Sequence, residues 1–284
     1  MLKQVKNIGL QREYSKKNTT VFRSDELPKF KRPAVDSKPL PAEVNVYFGD
    51  PIAISNVDIY ASLKKQSNDN ILIIGGEAEV AQLIAITAPL SLMAAHTEKS
   101  AKFYFFNYMR PTDSQYALPS QYYRVPAFDT VWSAKNEETM VSLTEIKTEI
   151  EARIADENLE QLHIYLNIYA FQLAQIFKKV GKYGTDLSDA GKLLEYILNK
   201  GPLVGVFTIM QVDNAANLQQ FSDNALSYLS HRVALQMDEK DSRKIVESEV
   251  ASKLFIMNRP HSKYRGFYFN NKNRILAKFK PYKL

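Results

Sequence analysis

The stretch Asn68–Ala95, NDNILIIGGEAEVAQLIAITAPLSLMAA, constrains this chain more than any other. A four-residue apolar strand, Ile71 to Ile74, runs into the pair Gly75-Gly76. A long helix is then predicted, with Val80, Leu83, Ile84, Thr87 and Leu90 or Ser91 at helical spacing. Strand, glycines and helix in that order build an anion site, because backbone N–H groups and the helix N-terminus converge on one point. A working phosphate loop reads GxxxxGK(S/T), with lysine on the terminal phosphates and the hydroxyl on magnesium. Counted from Gly75, the positions for Gly, Lys and Ser/Thr hold Val80, Ala81 and Gln82; counted from Gly76 they hold Ala81, Gln82 and Leu83. Glu77 and Glu79 add negative charge where a triphosphate would lie. The frame of a nucleotide site is present without its catalytic residues.

Composition narrows the chemistry. The 284 residues contain no cysteine, which removes thiol nucleophiles, disulfides and thiolate metal sites, and fits a reducing compartment. The four histidines, His96, His163, His231 and His261, are scattered over separate elements without ligand spacing, so no metal site is expected. His163 reads as a hydrogen-bonded core residue. The nearly apolar run Leu83–Ala95 has 13 residues, too short to span a bilayer, and Met1–Lys17 is polar and basic, unlike a signal peptide. Charge is uneven. Met1–Leu40 carries 10 Lys/Arg against 4 Asp/Glu, Arg259–Leu284 carries 8 against none, and Pro41–Asn258 carries 19 against 27. A polyanion would therefore meet the ends, unless those ends are simply solvated tails.

Residues 1–42, with prolines at 28, 33, 39 and 41, read as an extended basic arm or linker with one strand at Thr20–Arg23. Residues 43–284 read as one α/β domain. Val44–Ser55 alternates as a hairpin turning at Gly49-Asp50-Pro51. Further strands are expected at Lys102–Met109, Tyr122–Phe128, Gln161–Phe171, Val204–Val212 and His231–Met237. Pro111–Ser120 and Lys179–Asp186 read as loops. Helices are expected at Glu137–Asp156, at Asp189–Lys200, at Asn214–Phe221 and after Asp238, the predicted cap of DEKDSRKIV. On the first of these, Met140, Leu143, Ile146, Ile150 and Ile154 form the apolar face, and Glu137, Glu138, Glu149 and Glu151 are solvated. The tail GFYFNNKNRILAKFKP reads as two strands around Asn270–Asn273. Strands alternating with helices give a mostly parallel sheet covered on both faces.

Four stretches in one order, NILIIGGEAEVAQ, LHIYLNIYAFQ, GPLVGVFTIMQV with HRVALQM, and DEKDSRKIV, resemble the C-terminal portion of FtsK/SpoIIIE DNA-translocating ATPases, of the HerA–FtsK group. The likeness covers roughly Glu43 to Tyr282 and is strongest to the degenerate last module of multi-module members. It implies a RecA-like P-loop NTPase fold with a C-terminal β-hairpin. It places Gly75, Gly76, Gln82, Gln211 and Arg243 at a degenerate nucleotide site. In active members the strand corresponding to LHIYLNIYAFQ ends in acids; here Asn167, Tyr169 and Gln172 stand there. With neither lysine nor acid, both charge-stabilising parts of phosphoryl transfer are missing. No catalytic residue or metal is assigned, and ATP, if held, is held without hydrolysis.

The resemblance implies a structural, partner-docking or DNA-guiding module of a translocase or secretion-type motor. Its expected partners are other FtsK-like ATPase modules and double-stranded DNA, in a homo- or hetero-oligomer. It implies a cytoplasmic setting, attached or not to a membrane-associated assembly. Two alternatives stay open: an active translocase subunit whose site a partner chain completes, and a basic-tailed DNA-binding module unrelated to motors. Arg243 either faces a phosphate or is an exposed residue of a helix whose first turn holds Asp241. In the tail, cations interleave with aromatics. Arg265, Lys272 and Arg274 are candidate phosphate contacts, and the alternative is an edge hairpin with its aromatics turned inward.

Overall fold

The computed structural model describes residues 27–30, 38, 40–52, 57–123, 127–156, 162–256 and 264–283. Ten strands form one sheet: β1 (Glu43–Pro51), β2 (Ile59–Lys64), β3 (Ile71–Ile74), β4 (Ala101–Asn107), β5 (Asp129–Ser133), β6 (His163–Tyr169), β7 (Val206–Val212), β8 (His231–Ala234), β9 (Gly266–Asn270) and β10 (Ile275–Pro281). The helices are α1 (Ala78–Ala95), α2 (Leu118–Tyr123), α3 (Asn136–Ala155), α4 (Asp189–Lys200), α5 (Ala215–Gln219) and α6 (Glu239–Val246), with several single 3-10 turns. The sheet order is β2-β1-β10-β9-β8-β3-β7-β6-β4-β5. From β8 to β5 all pairs are parallel, and from β2 to β8 all are antiparallel.

The parallel strands β3, β6, β7 and β8 are buried on both faces, which suits the apolar run of β3 and the largely apolar β7, whereas the edge strand β5 is half-exposed. One core lies between the sheet and α1, with Ile71, Ile73, Val80, Ile84, Phe103 and Phe207. The other lies under α3, α4 and α6, with Leu72, Ile74, Leu143, Ile146, Leu194 and Ile245. By length and composition α1 could cross a membrane, but 13 of its 18 residues are buried in the fold. It packs as a core helix.

Three expectations are corrected. Gly49-Asp50-Pro51 is not a turn: β1 continues through it, after a register shift against β2 between Tyr47 and Gly49, and pairs with Phe279–Pro281 of β10. Gly49 serves close approach, since a Cβ there would lie 1.8 Å from the Lys280 carbonyl oxygen. The hairpin partner of β1 is β2 instead. Tyr122 and Tyr123 belong to α2, and the strand expected over Tyr122–Phe128 is β5, starting at Asp129. Pro119 suits a first helical turn, and Tyr123 is fully buried with its hydroxyl on the Ile86 carbonyl. On α3, Ile154 is 48% exposed, and Arg153 occupies the buried position, bonded to Glu149 and to the Val204 carbonyl. The Thr20–Arg23 strand and His261 lie outside the described residues.

Two of the histidines meet, while His231 lies apart against Asp69 and Tyr268. His96 Nε2 lies 2.7 Å from the Tyr165 hydroxyl, which lies 3.3 Å from His163 Nδ1. The two imidazoles meet edge to face at 5.2 Å. Burial, helped by His96, Lys65 and Arg153, pushes the His163 imidazole down to about 3. Between that value and the ordinary 6.5 the unfolded chain binds the extra proton, so acid destabilises the fold. Stability is expected to fall by about 1 kcal/mol per pH unit between pH 6 and 4.5. Urea unfolding of His163→Gln across that range should give a slope shallower by up to one proton.

Candidate functional site

Because β3, β4, β6, β7 and β8 are parallel, their C-terminal ends share one edge of the sheet. In open α/β sheets ligands bind at that edge, where successive crossovers leave a strand in opposite directions. Here the position is β3, flanked by β7 and β8. Only Gly75, Gly76 and Glu77 separate the end of β3 from the start of α1. Gly75 N–H donates to the Val212 carbonyl at 3.3 Å, and Gly76 N–H to the Gln236 carbonyl at 3.1 Å. Ala78 N–H turns back to the Gly76 carbonyl at 3.0 Å. The glycine amides thus extend the sheet rather than converge on an anion.

Gly75 has φ +148°, and a Cβ there would lie 2.6 Å from Leu235 Cβ. Its lack of a side chain serves packing against the end of β8. Gly76 is open, its nearest atom being the Gln236 carbonyl oxygen at 3.8 Å. Glu77 takes the N-cap position without a side-chain capping bond, and Glu79 lies in the first turn of α1. Carboxylates at a helix N-terminus are stabilised by the helix dipole, and their charge disfavours a phosphate there. Gln115, from the loop after β4, donates to the Glu79 carbonyl at 3.4 Å and covers the start of α1.

The remaining predicted residues divide between this edge and the opposite one. Gln82 is half-buried on the second turn of α1. Gln211 pairs in register with Ile73 of β3, beside the turn. It is buried, and its Oε1 accepts the Ala170 N–H at 2.7 Å, fixing a left-handed residue (φ 51°, ψ 48°) just past β6. Asn167 does not reach the edge: its Nδ2 donates to the Tyr104 and Tyr165 carbonyls at 3.3 and 3.4 Å. β6 ends on the buried Tyr169, and Gln172 follows with a buried Oε1 that has no partner among the described residues. Asp238 caps α6, accepting Asp241 N–H at 2.7 Å, and Asp241 in turn accepts Ala215 N–H at 3.0 Å. Arg243 is exposed and clasped by Glu239 at 2.7 Å and Glu249 at 3.1 Å, whose hydrogen bonds and charge push its guanidinium up.

At the opposite edge of the sheet Lys272 Nζ bonds to Asp69 Oδ1 at 2.6 Å, and Arg274 pairs with Glu247. Both therefore have partners within the chain. Arg265, just before β9, lies instead at the edge of the Gly75 turn, since β9 runs antiparallel to β8 with Phe267 opposite Ala234; it has no ion-pair partner among the described residues, and its Nε is buried without an acceptor. Sequence reading missed the network around Asp69, which also accepts from Gln66 and from Lys64 N–H and meets His231 Nε2 at 3.3 Å. The one available signal was the polar Asp69-Asn70 pair directly before a fully apolar strand. Among the described residues no group of His, Asp and Glu is placed to hold a metal ion.

A tight βα turn at the centre of a parallel sheet, with an antiparallel extension ending in a hairpin, defines a class. The fold is one also found in solved ATPase domains of secretion and conjugation proteins. No protein-family model matches the sequence, and no curated protein sequence matches it. Solved structures do. EssC (ATPases 2 and 3) from Geobacillus thermodenitrificans superposes with TM-score 0.64 at 15% identity, over 90% of this chain and 47% of that one. The cytoplasmic domain of the type VII secretion ATPase EccC from Thermomonospora curvata gives 0.57 at 14%, over 93% and 31%. The pCW3 conjugation coupling protein TcpA, solved with ATPγS, gives 0.59 at 11%, over 92% and 71%. This chain thus spans less than half the length of the EssC and EccC fragments it matches.

Proposed function

We propose that this chain is an ATPase-shaped module of a motor assembly, of the secretion or DNA-translocation kind, that does not itself hydrolyse ATP and works by docking other ATPase modules. One observation carries the reading: the turn after β3 has three residues, and both glycine amides bond within the sheet. A triphosphate cradle needs a longer loop with its amides pointing inward. The sequence adds that neither lysine nor Ser/Thr follows, and β6 ends on tyrosine rather than an acid. Charge stabilisation at the transferred phosphoryl group would have to come from elsewhere. The neighbours EssC and EccC, named as ATPases 2 and 3 and as a secretion ATPase, support the motor setting and a place on the cytoplasmic side of a membrane-associated machine.

Calorimetric titration with ATP and magnesium, beside a phosphate-release assay, tests this. The expected outcome is no hydrolysis above the protein-free blank and no saturable binding in the micromolar range. Magnesium-dependent micromolar binding that Arg243→Ala abolishes would instead mean that a nucleotide site exists and that α6 contributes to it.

A further inference from the structure

Two surfaces on the same face of the sheet, far apart along it, carry opposite charge, with Lys102 the one cation felt by the acidic surface among the described residues. On the hairpin, Phe267 pairs with Lys278 and Phe269 with Leu276, so Arg265, Phe267, Leu276 and Lys278 share one face. Lys278 Nζ lies 5.4 Å from the Phe267 ring centre. Burial and the neighbouring Arg265 guanidinium push the Lys278 ammonium down. Neither cation forms an ion pair among the described residues, in contrast to Lys272 and Arg274. Like charges side by side cost stability unless an anion joins them. Leu276, beside them, is 39% exposed.

On α3, Glu137, Val141 and Glu145 recur at i, i+4 and i+8 and form one exposed stripe about 12 Å long. Val141 is 59% exposed. Glu137 and Glu145 take part in no ion pair among the described residues, and Glu145 accepts one hydrogen bond, from the Tyr104 hydroxyl at 3.3 Å. The buried side of α3 packs over β4 and β6. Because β8, β3 and β7 stand between β9 and β6, the two surfaces are roughly 20 Å apart and cannot meet within one chain.

We propose that the β9–β10 face of one copy, through Arg265, Leu276 and Lys278, docks on the Glu137–Val141–Glu145 stripe of α3 in a second copy. The same chain supplies both halves of the match: its segment 41–258 holds 27 acids against 19 bases, and its segment 259–284 holds eight bases and no acid. Such a contact joins two different patches, so it propagates head to tail and closes into a ring or continues as a row. It uses no residue of the turn at Gly75 and stands whether or not nucleotide binds.

Sedimentation velocity of the full chain over a concentration series, at low and high salt, tests the contact. Concentration-dependent association that weakens with salt is expected. The pair Arg265→Glu with Lys278→Glu, and separately Glu137→Lys with Glu145→Lys, should each weaken it at least about tenfold. Mixing the two double variants should restore association, because reversed hairpin then meets reversed helix. Arg265→Glu alone gives Lys278 an opposite neighbour and should melt no lower than the parent chain, so loss of association in this single variant will not reflect misfolding, and the melting temperature of each double variant is measured beside it. A monomer at every concentration in low salt, or failure of the mixture to recover, overturns the proposal. So does loss with the hairpin variant alone, which would place the acidic half of the contact elsewhere on the chain than α3.

Discussion

Asp69→Ala is expected to lower the unfolding free energy by about 3–5 kcal/mol, the cost of breaking a buried charge pair from one side. Asp69 is fully buried directly before β3, and its carboxylate accepts from Lys64 N–H at 2.7 Å, Gln66 at 3.1 Å and Lys272 at 2.6 Å. His231 stands 3.3 Å away and lies 2.7 Å from the Tyr268 hydroxyl. Burial alone would raise this carboxyl, but the bonds and charge of His231, Lys272 and Lys64 together hold it below its ordinary value. Its contribution is therefore present above the unfolded carboxyl range and lost as pH falls through and below about 4. Asp69→Asn keeps an acceptor for the Lys64 amide and should cost less than the alanine. Lys272→Met should also cost less, because three donors to Asp69 remain. Guanidinium unfolding of the three variants at pH 7 gives the order. An alanine variant within 1 kcal/mol of the parent would mean that the network contributes nothing net.

Gly75→Ala is the second large effect, expected at about 2–5 kcal/mol, while Gly76→Ala should stay within about 1 kcal/mol. An alanine at Gly75 must adopt φ near +148° and place its Cβ 2.6 Å from that of Leu235. At Gly76 the nearest atom is 3.8 Å away. The contrast separates two uses of adjacent glycines. If both served approach to a phosphate, both alanines would be tolerated by the empty fold and would differ only in ligand affinity. A stability cost confined to Gly75 instead reports that this glycine lets β3 and β8 come together. Equal melting temperatures for the two variants would show that the Leu235 contact is soft.

The sequence alone determined the parallel core. The apolar run Ile71–Ile74 and the largely apolar Val206–Val212 are fully buried strands, because both faces of a central strand are covered. It determined the helices α1, α3, α4 and α6, whose spacing and caps are local. Asp238 on Asp241 N–H and Ser188 on Gly191 N–H are bonds between residues three apart. Residue types are read directly as well: positions 80–83 hold no lysine, serine or threonine, and β6 ends on tyrosine.

What the sequence left to the tertiary structure are pairings between distant segments. The run through Gly49 reads as a turn by composition, yet it is a strand, because the Lys280 carbonyl some 230 residues away lies against it. Lys272 and Arg274 read as free cations in a basic tail; Asp69 and Glu247, remote in the chain, give them partners. His96 and His163 meet only because the end of α1 returns to the start of β6. The length of the turn after β3 and the direction of its amides are likewise set by the neighbouring strand ends at Val212 and Gln236. Local chemistry fixes what a segment prefers, and burial against a distant segment decides which polar groups remain free to act.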